Sequence, residues 1–259
     1  MKKVLVTGGT GNLGRCVVND LLQKNVEVSI LTTKSDIQWK DVEVFEGDLA
    51  KNISLTQATA KADIIIHCAS NAKDFQQADI QGTENLLHSL NRKGLQNFIY
   101  ISIVGIDKSS YPYYQAKLTV EKMIINSGIP HTILRTTQFH SFVLNMLLFF
   151  INEQSKDVIT IPAGMKFQSV DIREVAQQLT ANLEKAKGIL HDFGGPQILS
   201  FEEMTQIYLN IIKTKADIET TVIESPRYEL FRSGINLCPD NAFGKITWGS
   251  FIEEPLKHS

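Results

Sequence analysis

The chain of 259 residues has little cysteine, no excess of charge of either sign and no long hydrophobic run. Its three cysteines, Cys16, Cys68 and Cys238, lie far apart without a CxxC pair, which excludes a disulfide framework or thiolate zinc site and fits reduced thiols. Lys plus Arg is 26 and Asp plus Glu 28, a net charge of −2, so no field draws the protein onto nucleic acid or an anionic membrane. The most apolar stretch, Phe139 to Ile151, is interrupted by His140, Ser141 and Asn145. It is shorter than the roughly 18 residues a spanning helix needs. At the N-terminus, Val4-Leu5-Val6 stops at Thr7-Gly8-Gly9, short of the apolar core of a signal peptide. His67, His88, His131 and His191 show neither HxH nor HExxH spacing, so no metal site is expected. Apolar residues at 43% and charged residues at 21% are ordinary for a globular domain, and low-complexity segments and internal repeats are absent. The expectation is a soluble cytoplasmic protein, monomer or homodimer, whose partner is a small-molecule substrate.

The first half alternates two periodicities. Lys3 to Thr7, Val26 to Leu31, Val42 to Phe45, Asp63 to His67, Asn97 to Ser102 and Pro130 to Arg135 read as short, nearly continuous apolar strands. Asn12 to Gln23, Asp79 to Arg92 and Tyr113 to Asn126 carry apolar residues at helical spacing. Strands of this kind separated by helices predict an α/β fold with a doubly wound parallel sheet covered on both faces. Beyond residue 136 the alternation loosens. Phe139 to Ile151 and Asp171 to Lys185 read as helices, and Ser200 with Glu203 three residues on forms a capping box that opens another. The expected division is 1–150 for a nucleotide-binding domain and 151–259 for a small α+β substrate-binding portion packed on it in a single compact unit.

Thr7-Gly8-Gly9-Thr10-Gly11-Asn12-Leu13-Gly14 joins the first strand to the first helix, with Gly8, Gly11 and Gly14 spaced GxxGxxG. Glycines here allow a tight turn and let backbone N–H groups at a helix N-terminus approach a pyrophosphate. An NAD site usually has a carboxylate about 20 residues further on, to hold the ribose 2′-hydroxyl. Here the second strand ends in Thr32-Thr33-Lys34-Ser35, and no carboxylate appears until Asp36. Hydroxyls and an ammonium at Thr33 and Lys34 suit a 2′-phosphate, so NADP is the expected cofactor and NAD the alternative. Lys34 as a solvated loop lysine and Arg15 as a second phosphate ligand stay open. Tyr113-Tyr114-Gln115-Ala116-Lys117 sets a phenol and an ammonium four residues apart on one helical face. The ammonium favours phenolate, which makes Tyr113 a candidate acid/base for carbonyl reduction, with Tyr114 as its substitute. An ion pair with Glu121 would explain Lys117 without chemistry. Phe139, His140 and Phe142, beyond the sixth strand, are either an apolar wall for a flat substrate or core.

These motifs together resemble the atypical short-chain dehydrogenases/reductases, in particular the NmrA-like NAD(P)-binding branch that includes quinone and azo-dye reductases. The resemblance spans residues 2 to 215 and implies a Rossmann-type fold. Gly47-Asp48-Leu49 is similar to the family's GDL, which implies that Asp48 and Leu49 lie at the adenine. His67-Cys68-Ala69-Ser70 matches its small-residue turn beside the cofactor, and Asp79 to Leu87 resembles its NVxGTxNLL helix. The resemblance further implies that Thr10, Asn12 and Leu13 join the glycines in cofactor binding, that Lys117 holds the nicotinamide ribose, and that Ser102 assists Tyr113 and Lys117. The family's Ser-Ser doublet is Ser102-Ile103 here. The function expected is an NAD(P)H-dependent oxidoreductase reducing a small carbonyl, quinone or related acceptor. Two alternatives are a non-catalytic redox sensor acting through a protein partner, and an NAD-dependent nucleotide-sugar epimerase or dehydratase.

Overall fold

The computed structural model describes residues 1–152 and 157–256. Along the chain the strands are β1 (Lys2–Thr7), β2 (Val26–Thr32), β3 (Val42–Glu46), β4 (Ile64–His67), β5 (Asn97–Ile103), β6 (His131–Thr136), β7 (Val158–Pro162), β8 (Lys166–Phe167), β9 (Gly188–Ile189), β10 (Leu199–Ser200) and β11 (Asp217–Thr221). The α-helices are α1 (Asn12–Leu21), α2 (Leu55–Thr59), α3 (Gly82–Ser89), α4 (Pro112–Asn126), α5 (His140–Asn152), α6 (Ile172–Thr180), α7 (Phe201–Ile211), α8 (Pro226–Ser233) and α9 (Trp248–Leu256). None of the described helices is long and apolar enough to cross a membrane.

Two compact units are present, the first made of Met1–Ser102, Pro112–Arg135 and Ile172–His191. Its seven-stranded sheet has the order β3-β2-β1-β4-β5-β6-β9. The pairs β1–β2, β1–β4, β2–β3, β4–β5 and β6–β9 are all parallel, as the apolar strands with intervening helices predict. One face of the sheet buries Leu5, Ile65, Phe98 and Tyr100 against Leu86 of α3 and Val120 and Ile124 of α4. Toward the other face α1 packs on β1, β2 and α6, and Leu13, Val17, Val18 and Leu21 are its buried side. The strand order reverses between β1 and β4. In open α/β sheets the crevice beyond such a reversal is where ligands bind. Thr7 and His67 are register partners at the carboxyl ends of those two strands, so the reversal sits directly under the glycine turn.

Two predicted helices differ in extent. The stretch from Asp79 begins inside a π-helical turn, Gln76–Gln81, and α3 ends at Ser89 because Leu90 is extended. The helix expected from Asp171 to Lys185 runs only from Ile172 to Thr180. Past that point the buried amide of Asn97 takes the Asn182 carbonyl at 2.8 Å, and the chain turns at Gly188 (φ +70°) into β9. Tertiary hydrogen bonding therefore overrides the helical pattern. The Thr180 hydroxyl donates to the Asp20 carboxylate, fastening α6 to α1.

The second unit comprises Ile103–Tyr111, Thr136–Asp171 and Asp192–Ser259. It mixes helices, two of them expected from the sequence, with an antiparallel β8–β10 pair and a parallel β7–β11 pair, and the loosened sequence pattern predicted neither pair. Phe167 packs on Phe231 at 4.7 Å and on Phe201 at 5.8 Å between ring centres, and the Trp248 indole donates to the Met204 carbonyl at 2.9 Å. The capping box is present: the Glu203 amide donates to Ser200 Oγ at 3.1 Å and the Ser200 amide to Glu203 at 2.7 Å. Phe98, fully buried beneath α3 and α4, tests the core of the first unit. Phe98→Ala is expected to lower unfolding stability by about 3–5 kcal/mol, read from the urea midpoint.

Candidate functional site

The site is built where β1 ends. Gly8 has φ +69°, and a Cβ there would lie 2.7 Å from the Ala69 amide nitrogen, so the glycine turn runs backbone to backbone against the turn after β4. A Cβ on Gly14 would lie 2.1 Å from the Gly8 carbonyl oxygen, so only glycine lets α1 start this close to the strand. The Gly11 amide donates to the Gly8 carbonyl at 2.9 Å, closing the turn. Gly11 is the N-cap of α1 and gives no side-chain hydrogen bond, which leaves the first-turn amides of Asn12 and Leu13 to meet an anion. Asn12 is exposed there, whereas the Leu13 side chain is core. Thr10 Oγ1 bonds Thr32 Oγ1 at 3.1 Å, tying the turn to the end of β2. Thr33 and Lys34 follow, both exposed. A cradle that a Cβ would fill, open at a helix N-terminus and flanked by hydroxyls and an ammonium, fits a dinucleotide diphosphate.

Asp48 accepts from the Ala50 amide at 2.9 Å and pairs with Lys51 at 3.6 Å, which fixes the turn beyond β3. Asn85 of α3 donates to the Leu49 carbonyl at 2.8 Å and the Ala50 carbonyl at 3.2 Å, holding the same turn from the other side. Asn85 is a positioning group that the sequence reading missed, although it stands at the Asn of the NLL triplet.

His67 joins three elements. Its Nδ1 bonds Thr7 Oγ1 at 2.6 Å, its Nε2 bonds Thr83 Oγ1 at 2.9 Å, and its ring stacks on Tyr100 at 5.5 Å. Both partners are hydroxyls that can donate or accept, so they accommodate a neutral imidazole with one nitrogen donating and the other accepting. Burial and the nearby Lys117 ammonium drive its pKa down to about 3. Cys68 donates its amide to the Thr7 carbonyl at 3.1 Å. Burial pushes its thiol up to about 12, partly offset by Lys117, so it is a poor nucleophile.

The turn continues through Ala69 to Ser70, where the residues with acid/base potential converge. Tyr113 Oη lies 2.8 Å from Ser70 Oγ, and Ser70 Oγ donates to Asp79 Oδ1 at 2.6 Å. Asp79, only 1% exposed, also accepts from the Asn71 amide at 3.0 Å. Lys117, 2% exposed, reaches the same Oδ1 at 3.8 Å, as a side-chain ion pair across α4 and the π-helical turn. Its ammonium donates to the Ile101 carbonyl at 2.9 Å and lies 4.3 Å from the Tyr100 ring centre. Burial lowers the Lys117 pKa, and the charges of Asp79 and Glu121 oppose that shift. The Glu121 carboxylate itself is bound by both forks of Arg135, at 3.0 and 2.7 Å, and the surface pair considered for Lys117 is replaced by a buried one with Asp79.

Tyr113, Lys117 and Ser70 are thus brought together, and the hydroxyl against Tyr113 belongs to Ser70 rather than Ser102. Ser102 Oγ and Tyr100 Oη are buried and have no hydrogen-bond partner among the described residues. Such orphaned hydroxyls cost about 1–3 kcal/mol each unless a ligand or solvent meets them. Asp79 is the second residue the sequence reading missed. The signal was present, because Asp79 stands where NVxGTxNLL begins with asparagine. His140 is spent structurally within the second unit, bonding Ser169 Oγ at 2.8 Å and the Ile246 carbonyl at 3.0 Å beside Trp248 and Phe251.

The model of the NmrA-like family matches residues 1–247. The chloroplastic protein high chlorophyll fluorescence phenotype 244 of Arabidopsis thaliana is 25% identical over 231 residues, 85% of this chain and 58% of that protein. Photosystem II assembly factor Ycf39 of Synechocystis is 25% identical over 146 residues, 53% of this chain and 45% of its own. The chain spans about half the length of these curated relatives. Among solved structures, the NADPH-dependent quinone oxidoreductase QOR2 of Escherichia coli, complexed with NADPH, superposes with a TM-score of 0.83 at 15% identity, covering 98% of this chain and 99% of that one. A nucleoside-diphosphate-sugar epimerase of Staphylococcus aureus gives 0.79 at 17% identity, covering 98% and 100%. At these identities the structures establish a shared fold.

The His67 clamp gives a pH dependence. Its folded pKa of about 3 lies below the ordinary 6.5, so between those values the unfolded chain takes up a proton that the folded one refuses. This group's contribution is therefore unchanged above that window and is lost on acidification through it, by about 1.4 kcal/mol per pH unit. Urea unfolding across a pH series should show His67→Gln with an acid-side slope shallower by about one proton.

Proposed function

The chain belongs to the NmrA-like family, and from that premise we propose an NADPH-dependent oxidoreductase that reduces a small carbonyl or quinone acceptor. The observation that carries this reading is the convergence of Tyr113, Ser70 and buried Lys117 on the turn that Gly8 touches, so that one edge of the sheet offers both a diphosphate cradle and a proton donor. The fold shared with QOR2, an NADPH-dependent quinone oxidoreductase, supports the acceptor class.

Gly8, Gly11 and Gly14 with the first amides of α1 would hold the diphosphate, Thr33 and Lys34 the 2′-phosphate, and Asp48 and Leu49 the adenine side. Thr10 would steady the cradle through Thr32. Cys68 and Ala69 would form its floor, and the unpartnered Ser102 hydroxyl fits a polar group of the ligand. When bound, the nicotinamide supplies a hydride. Tyr113 gives its phenolic proton to the acceptor oxygen, and the Lys117 ammonium stabilises the phenolate left behind. Lys117 holds its charge at depth because Asp79 and the Ile101 carbonyl meet it.

A second reading draws on the relatives, one of which is a photosystem II assembly factor. In it the same cradle senses the redox state of the cofactor and transmits it to a protein partner.

Titration calorimetry with NADPH and NADH comes first. Lys34→Ala should weaken NADPH by about tenfold and leave NADH unchanged. NADPH oxidation against a panel of carbonyls and quinones should then fall about a hundredfold or more in Tyr113→Phe, with cofactor affinity retained. Tight NADPH binding without turnover on any acceptor would sink the reductase reading and favour the sensor.

A further inference from the structure

The hydrogen bonds at Tyr113 have a direction that the reductase reading does not require. Ser70 carries one hydroxyl proton, and that proton is donated to Asp79 Oδ1 at 2.6 Å. The oxygen of Ser70 can then only accept from Tyr113 Oη, 2.8 Å away. Asp79 cannot turn aside, because its Oδ2 receives the Asn71 amide at 3.0 Å and its Oδ1 faces Lys117 at 3.8 Å. The π-helical turn Gln76–Gln81 that carries Asp79 presents this carboxylate beneath the turn after β4. π-turns of this kind recur at functional sites.

We infer that Ser70 and Asp79 are positioning residues that fix the Tyr113 proton in a directed chain, Tyr113 to Ser70 to Asp79, and so hold the phenol in its protonated, acid form. This deepens the reductase reading and rests on it for its consequence in catalysis. The chain opposes the effect of Lys117. The ammonium favours phenolate, whereas the Asp79 charge and the acceptor it creates at Ser70 favour phenol. Ionisable groups packed around the chain include His67 and Cys68 at the end of β4, Tyr100 on β5, and Glu121 on α4 with Arg135 on β6. Burial keeps the first two neutral at working pH, and burial with the charges of Asp79, Tyr113 and Glu121 raises Tyr100 well above its ordinary value.

The test is ultraviolet titration of tyrosine in the protein without cofactor, with the Tyr113→Phe spectrum subtracted at each pH, so that Tyr113 alone is read. Ser70→Ala should lower the Tyr113 midpoint by about one pH unit, since the phenol loses the acceptor that holds its proton. Asp79→Asn should lower it at least as far, because the amide can donate to Ser70 and reverse the chain. The double variant should shift no further than Asp79→Asn alone, and Ser70→Thr should restore the original midpoint. Ser70 is exposed, so Ser70→Ala and Ser70→Thr remain decisive even if Asp79→Asn does not fold. An unmoved or raised midpoint in Ser70→Ala, or a Ser70→Thr midpoint equal to that of Ser70→Ala, would overturn the inference. The titration needs no turnover. A protein that titrates as expected yet reduces no acceptor removes the reductase reading and leaves the directed chain, and active turnover with an unmoved midpoint does the reverse.

Discussion

The first unit is organised around a charge pair that water does not reach. Lys117 and Asp79 are almost wholly buried 3.8 Å apart, and removing two such charges from water costs several kcal/mol per ion unless further partners meet them. Those partners come from separate elements: the Ile101 carbonyl of β5, the face of the Tyr100 ring, the Ser70 hydroxyl and the Asn71 amide. A buried ion pair is weak evidence for stability. Here it fixes the turn after β4, the π-helical turn and the middle of α4 in one geometry.

The same turn after β4 meets the glycine loop from the other side. Gly8 approaches Ala69 too closely for any side chain, and the Cys68 amide bonds the Thr7 carbonyl. His67 then ties the end of β1 to α3 through two threonine hydroxyls. The glycine turn and the Tyr113 hydroxyl are therefore both held by one short peptide segment, residues 67–71. Its position follows from the reversal of strand order between β1 and β4, where the helices on the two sides diverge. Rigid strands fix the ends, and side-chain hydrogen bonds fix the turns, which is how a site on loops acquires a defined geometry.

Polar groups at this edge are not all satisfied within the protein. Among the described residues, Tyr100 and Ser102 keep buried hydroxyls without hydrogen-bond partners, on the strand that also supplies Lys117 with its carbonyl acceptor. Native proteins leave few such groups, and those they leave tend to mark function. The hydroxyl that the resemblance pointed to as the partner of Tyr113 is left without one among the described residues, and a serine from a neighbouring turn does the bonding.

Much of this was determined by the sequence alone. Short apolar strands separated by helical stretches dictate a parallel sheet, because only burial on both faces accounts for runs such as Ile64-Ile65-Ile66. Gly8 and Gly14 mark the turn because the backbone there admits no Cβ, and Tyr113 and Lys117 share a helical face by their spacing. These are local constraints, and local constraints are legible one segment at a time. Tertiary structure decided the rest. Nothing in the periodicity of Ile172 to Lys185 says that Asn97, far away in the chain, will claim the Asn182 carbonyl and end the helix. Nor could spacing show that Lys117 turns from Glu121 to Asp79 once Arg135 takes Glu121, or that Ser70 reaches Tyr113 where Ser102 was expected. A hydrogen bond between residues 43 positions apart depends on where the fold places both ends. Sequence names the groups able to make it, and only packing chooses among them.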